Sequence, residues 1–342
     1  MTRRLRILTY HRIAGTADPT GNAPSLVSST AQVFDRQMAH LAQHYNAVTP
    51  AEIIAAEAAQ RELPPKAVLV TFDDAYRDFA DVAWPIMKKH GIPATLFVPT
   101  AYPGQPERRF WWDRLDSAFA ASPRTQLPDT PLGTLSLATP QLRRMSVRRL
   151  KDYLLLLPHA QTLAWVERVC DALGVDPASH AQVLAWDELR ALARDGVSLG
   201  AHTRTHPALT RLPLEQARTE IQGAIVDLRR EIGPTPAVFS YPFGIHDDHT
   251  VELVRAAGFR LAVTCLRGQS KLPLSEPLRL QRINMTQRTS GLLFRARLLY
   301  TVTRVDAWQD RFRMGRRTAR LQQLRQQQVA APPLRVEQPI SR

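Results

Sequence analysis

The stretch VLVTFDDAYRDF (68–79) sets an unbroken run of apolar β-formers directly before two adjacent carboxylates, Asp73 and Asp74. A continuous apolar run of this length marks a strand buried on both faces, as in parallel sheets. Two like charges where such a strand leaves the core repel each other, and burying either is costly without compensation. Two readings are open at this point. One is a polar strand-to-helix turn whose Asp caps the next helix, and the other is a metal site.

Working outward, strand-like and helix-like segments alternate. LRILTY (5–10), ATLFVP (94–99), VSLGAH (197–202), AVFSYP (237–242) and RLAVTC (260–265) read as strands. Between them, 29–45, 186–196, 213–233 and 250–259 carry helical periodicity, with Ser29 or Thr30 as a cap for the first. Asp78 is placed to cap a further helix that runs to about His90 and stops at Gly91 and Pro93. Such alternation gives parallel strands with crossover helices, either a doubly wound sheet or a (β/α) barrel. In both, chemistry gathers at the carboxyl ends of the strands. Residues 104–185 break the rhythm with an aromatic cluster, RRFWWDRL (108–115), a Pro-rich stretch (123–140) and two helical segments, and read as a helical insertion.

The 342 residues are 44% hydrophobic, ample for a buried core. The net charge of +14 is uneven: from Arg288 to Arg342 there are 12 arginines and three acids, so nine of those charges sit in the last segment. The body is only mildly basic, which argues against a nucleic-acid groove, and no nucleic-acid partner is expected. The segment 288–342 reads as a basic, partly disordered extension, with contact to an anionic membrane surface as a second use. Cys170 and Cys265 have no C-x-x-C neighbour, so thiol-based metal or redox chemistry is not expected. MTRRLRILTYHRIAG (1–15) reads as a first strand, not a signal peptide, and YLLLLP (153–158) is too short to span a bilayer. The expectation is a cytoplasmic protein with, at most, peripheral membrane contact.

At the end of the strand 197–200 comes GAHTRTHPALT (200–210), with His202 and His206 four residues apart. If the chain turns helically there, both imidazoles fall on one side. Two neutral imidazoles and one carboxylate form an open three-ligand site for a divalent metal, leaving a position for water. The other carboxylate is then free to accept a proton. A cation nearby also offsets the repulsion within the Asp pair.

TFDDAYRDF (71–79), LGAHTRTHPALT (199–210) and FSYPFG (239–244) resemble the first three motifs of the polysaccharide deacetylases with the NodB homology domain, carbohydrate esterase family four. ILTYHRI (7–13) and LQRINM (280–285) resemble flanking segments of a bacterial branch of that family. The resemblance implies a distorted (β/α) barrel over residues 1–287. It implies Asp73 as catalytic base and Asp74, His202 and His206 as ligands of a divalent metal, most often Zn2+. The implied reaction is hydrolysis of the acetamide of an N-acetylated sugar in a polysaccharide, its precursor or a cell-envelope glycan. Water activated at the metal attacks the carbonyl and Asp73 takes its proton. Tyr241, Phe243 and Gly244 would line the substrate or oxyanion position, with Gly244 bringing the backbone close to a ligand.

Two departures stand out. The family's third motif often carries an Arg that orients the catalytic Asp, and Ser240 matches that position here. A late His that serves as general acid in other branches has no counterpart in LRLQRINM, leaving His11, His246 and Arg282 as accessory candidates. Arg282 is too basic to donate a proton, and so would orient Asp73 or bind substrate. The departures also leave room for a non-catalytic glycan-binding protein on the same metal-binding barrel. For Phe110, Trp111 and Trp112 the readings are sugar stacking or, by the usual preference for burying aromatics, packing of the insertion.

Overall fold

The computed structural model describes residues 3–15, 26–105, 107–174, 182–303 and 305. Seven strands run parallel: β1 (Arg4–Tyr10), β2 (Ala67–Phe72), β3 (Thr95–Val98), β4 (Ser198–Ala201), β5 (Val238–Ser240), β6 (Leu261–Arg267) and β7 (Leu280–Asn284). Of the two topologies the alternation allows, β1 decides the outcome. It pairs with β2 on one edge (Leu8↔Val70) and with β7 on the other (Leu8↔Ile283), so the sheet closes into a (β/α) barrel. Two short strands add to its amino end, Asn46–Ala47 beside β2 and Ser270–Lys271 antiparallel to β1.

All six residues of β2 are buried. One face fills the barrel and the other meets the helix layer, which is why the strand reads as a continuous apolar run. Leu5, Ile7, Leu69, Phe97, Val263 and Leu280 belong to the interior cluster. The period of two along each strand then carries Thr71, Asp73 and Arg282 onto the same inward face, one layer nearer the carboxyl end. β4 meets Phe97 with a glycine: a Cβ added at Gly200 would lie 2.7 Å from the Phe97 ring. The next inward residue after Gly200 is His202.

Helices α1 (Ala31–His44), α2 (Pro50–Ala58) and α3 (Trp84–Lys89) wrap the first half. Thr30 caps α1 through Val33 N, and Thr49 and Glu52 form a reciprocal capping box on α2. Asp78 does not cap the helix after β2. Its carboxylate accepts from Arg12 Nε at 2.9 Å, and the chain passes through a π-helical turn, Phe79–Ala83, before α3. The insertion consists of α4 (Trp111–Ala121), a hairpin of Gln126–Thr130 with Gly133–Ser136 inside the Pro-rich stretch, α5 (Pro140–Leu154) and α6 (His159–Leu173). The crossovers resume with α7 (Trp186–Arg194), α8 (Leu214–Glu231) and α9 (Asp248–Ala256).

After β7, α10 (Gly291–Arg297) lies against the barrel, with Phe294 and Leu298 buried. Gln37 Nε2 donates to Thr289 O at 2.6 Å and Arg6 Nε to Leu298 O at 2.9 Å. The disorder and anionic-surface contact expected of the basic extension fall on residues 306–342, outside the described residues. Among the described residues no helix is long and apolar enough to cross a membrane.

Candidate metal and catalytic site

Asp73 and Asp74 follow β2 directly and His202 follows β4, so both motifs open at the carboxyl end of the barrel. Asp74 Oδ1 lies 3.2 Å from His206 Nε2 and 3.5 Å from His202 Nε2, and the two imidazole nitrogens are 3.1 Å apart. All three side chains are buried, and they form the one such ligand cluster among the described residues. A tetrahedral zinc ion with bonds of about 2.0–2.1 Å separates its ligand atoms by about 3.3 Å. The observed spacing therefore fits a divalent ion held by these three residues. Apart from the two imidazoles, Asp74 Oδ1 has no polar partner among the described residues. His202 Nδ1–H donates to Ser240 O at 2.7 Å, which turns Nε2 towards Asp74 and His206, where a cation would take the place of its proton. Burial alone would raise the Asp74 pKa. The two imidazoles outweigh it and hold the carboxylate ionised, well below the usual range.

The chain does not turn helically after β4. Thr203 and His206 instead take left-handed backbone conformations, at φ +62° and +60°. Thr203 Oγ1 staples the loop, donating to His202 O at 2.6 Å and accepting from His206 N at 3.0 Å. Glu220 on α8 grips it from outside: its carboxylate accepts the N–H groups of Arg204 and Thr205, each at 2.8 Å, and the Thr205 hydroxyl at 2.7 Å. Asp227 takes Arg204 Nε at 3.0 Å and the Thr100 hydroxyl at 2.8 Å. Between the two acids sits Gly223, where an added Cβ would lie 2.3 Å from Arg204 Cδ. Sequence reasoning missed this clamp. Its trace was an acid, a glycine and an acid at i, i+3 and i+7, one stripe of an amphipathic helix. Asp74 and Ala75 are left-handed too, at φ +74° and +52°, so both halves of the triad rest on strained backbone that the surroundings must hold.

Asp73 has a different partner. Arg282 Nη1 donates to Asp73 Oδ1 at 2.8 Å and Nη2 to Oδ2 at 2.7 Å, while Arg282 Nε is fixed on Thr264 O at 2.7 Å. Both side chains are buried. Burial pushes the Asp73 carboxyl up, but Arg282, with His202 behind it, more than offsets this and keeps it below the ordinary range. Ser240 Oγ stands 3.4 Å from Asp73 Oδ2. The position matched to the family's orienting Arg is thus beside Asp73, and the guanidinium arrives from β7 instead.

The third-motif residues divide. Phe243 is left-handed, at φ +58°, and its ring lies 4.7 Å from His206. Tyr241 N–H is taken by Val263 O at 3.1 Å and its hydroxyl donates to Leu278 O at 3.1 Å, so Tyr241 is a buried structural residue. Gly244 approaches β6 closely, where an added Cβ would fall 2.3 Å from Cys265 N. His246 is turned to its own loop, with Nδ1 on Gly244 O at 3.0 Å and its ring stacked on Tyr241. His11 follows β1 directly, its backbone N–H donating to Ser28 Oγ at 2.9 Å. Phe110, Trp111 and Trp112 are buried, which favours packing over exposed sugar stacking, but the packing surrounds the triad.

The polysaccharide deacetylase family model matches residues 60–262. YxkH, a candidate polysaccharide deacetylase of Bacillus subtilis (strain 168), is 20% identical over 294 residues, covering 86% of this chain and 75% of its own length. Among solved structures the fold is similar to the Streptococcus pyogenes deacetylase PplD in complex with acetate, with TM-score 0.59 and 21% identity over 87% of this chain and all of that one. It is also similar to a de-N-acetylase from Aggregatibacter actinomycetemcomitans, with TM-score 0.56 and 16% identity over 86% of this chain and 99% of that one. The family match spans more than half of the chain and encloses Asp73, Asp74, His202 and His206; the chain belongs to the polysaccharide deacetylase family.

Proposed function

We propose that this protein hydrolyses the acetamide of an N-acetylated sugar, in a polysaccharide, its precursor or a cell-envelope glycan, with a divalent metal, zinc by its donor set, held by Asp74, His202 and His206. The support is the division between two adjacent carboxylates: Asp74 faces two imidazoles, whereas Asp73 is clamped by a guanidinium. Asp74, His202 and His206 would hold a divalent cation, which would lower the pKa of a water and polarise an amide carbonyl. Asp73, kept ionised by Arg282, accepts the proton. A carboxylate offers about four lone-pair positions, so the two Arg282 bonds leave room for a further donor. In the YPFG turn the Tyr241 and Gly244 N–H groups are taken by carbonyls, and we assign the Phe243 N–H to a developing oxyanion. Acetate, the product of this reaction, is the ligand carried by the related S. pyogenes structure.

The test is acetate release from a panel of N-acetylated oligosaccharides. Release is expected to depend on added Zn2+, to stop with chelator, and to fall by about 10²–10⁴-fold in Asp73→Asn, which should still bind Zn2+. Zinc binding with no acetate release from any substrate would overturn the assignment in favour of a glycan-binding barrel.

A further inference from the structure

The two histidines of the triad are not supported alike. His202 is oriented by its hydrogen bond to Ser240 O, but the buried Nδ1 of His206 has no hydrogen-bond partner on another residue among the described residues. A metal-binding imidazole normally owes its ring orientation to the partner of its second nitrogen. Here rings replace that partner. Trp112 lies 4.7 Å from the His206 ring at 62°, Phe243 4.7 Å at 86°, and Phe110, stacked flat on Trp112, 5.7 Å at 68°.

Two of those three rings belong to the first residues of the insertion, which is also fastened to the other half of the triad. Trp112 Nε1–H donates to the Tyr76 hydroxyl at 3.0 Å, and Tyr76 donates to Asp113 Oδ2 at 2.8 Å. Tyr76 lies two residues beyond Asp74, directly after the left-handed pair Asp74–Ala75 that aims its carboxylate. The far end of the insertion grips the same turn through its backbone: Arg77 N donates to Gln182 O at 2.8 Å and Leu184 N to Ala75 O at 3.0 Å. Both ends of the insertion therefore meet at the Asp73–Asp74 turn, and its first helical turn spans from there to His206.

We propose that the insertion is the outer shell of the metal site, with Trp112 as the residue that positions His206 and, through Tyr76, couples it to the turn carrying Asp74. This rests on the triad being a metal site, as in the function proposed above, but not on the reaction catalysed there. Its measure is therefore Zn2+ affinity, read by competition with a chromophoric chelator on the full chain. Trp112→Leu is expected to weaken Zn2+ binding by about 10–100-fold, the usual consequence of losing an outer-shell partner. Trp112→Phe should recover much of that loss, and Tyr76→Phe should show a smaller one. Leu150→Ala, which opens a cavity where α5 packs on α4, α6 and the hairpin, should lower the melting temperature with Zn2+ affinity unchanged. Were Trp112→Leu not to fold, Tyr76→Phe, which removes one hydroxyl and no ring, carries the test. Zn2+ affinity within twofold of wild type in the folded Trp112 and Tyr76 variants, or weakened equally by Leu150→Ala, overturns the proposal. Failure of acetate release with these affinity changes intact would count against the proposed reaction alone.

Discussion

A bidentate ion pair in the barrel interior joins two residues 209 positions apart, Asp73 and Arg282. Arg282 is fully buried, its Nε bonded to a carbonyl and its two Nη atoms to a carboxylate. A buried pair of this kind adds little net stability, because desolvating both charges offsets their attraction. Removing one member, however, strands the other without compensation. Arg282→Met is therefore expected to cost about 3–5 kcal/mol in urea unfolding, and Asp73→Asn combined with Arg282→Met should regain much of that loss. A single-variant cost below about 1 kcal/mol, or a double variant no more stable than Arg282→Met, would show that water or another side chain takes over the orphaned carboxylate.

Helix α8 shows how a surface element fixes a buried site. Glu220 accepts three hydrogen bonds from the loop that carries His202 and His206 while remaining only half-buried. Glu220→Ala should destabilise the fold by about 1–3 kcal/mol and weaken Zn2+ binding, since the left-handed residues Thr203 and His206 lose the contacts that hold them. Thr219→Ala, beside it but bonded back to Glu215 O within the helix, should change neither. Equal zinc affinities in the two variants would sink the role given to Glu220. The contrast also explains what could be read from the chain alone. Asp73–Asp74 and His202–His206 are each close together in sequence, sit at strand ends and carry distinctive side chains, so spacing and resemblance found them. Arg282 and Glu220 act across the closed barrel and through a crossover helix. For Arg282 the sequence left two roles open, orienting Asp73 or binding substrate, and closure of the barrel through β1 brings it onto Asp73. Glu220 left only a faint helical stripe, and its partners appear once α8 packs on the loop after β4. The irregular path from His202 to His206 was hidden for a similar reason. It depends on a tertiary clamp, whereas four-residue spacing on its own suggests a helix.

At the scale of the whole molecule, barrel and insertion share one hydrophobic cluster, and an ionisable group is buried where they meet. Asp113, on the first turn of α4, accepts from Tyr76 in the turn after β2. Burial lifts its pKa to about 7; Tyr76 and then Arg12 pull the other way, and Asp116 adds a little to the rise. In the unfolded chain the same carboxyl titrates near 4. The folded state thus binds a proton that the unfolded state has already released, so the protonated Asp113 contributes stability in full below about pH 4. That contribution shrinks as pH rises through the window from about 4 to 7, and is gone above it. The slope is at most about 1.4 kcal/mol per pH unit. Other acids of the site have lowered pKa values and slope in the opposite direction, so the observable is a difference. Urea unfolding of wild type and Asp113→Asn, each from pH 4 to 8 with chelator present, should give a stability difference that moves in favour of the variant as pH rises and levels off near 7. A difference that stays flat across that window would mean that Asp113 remains ionised in the folded protein, and that the junction between insertion and barrel is wetter than its burial indicates.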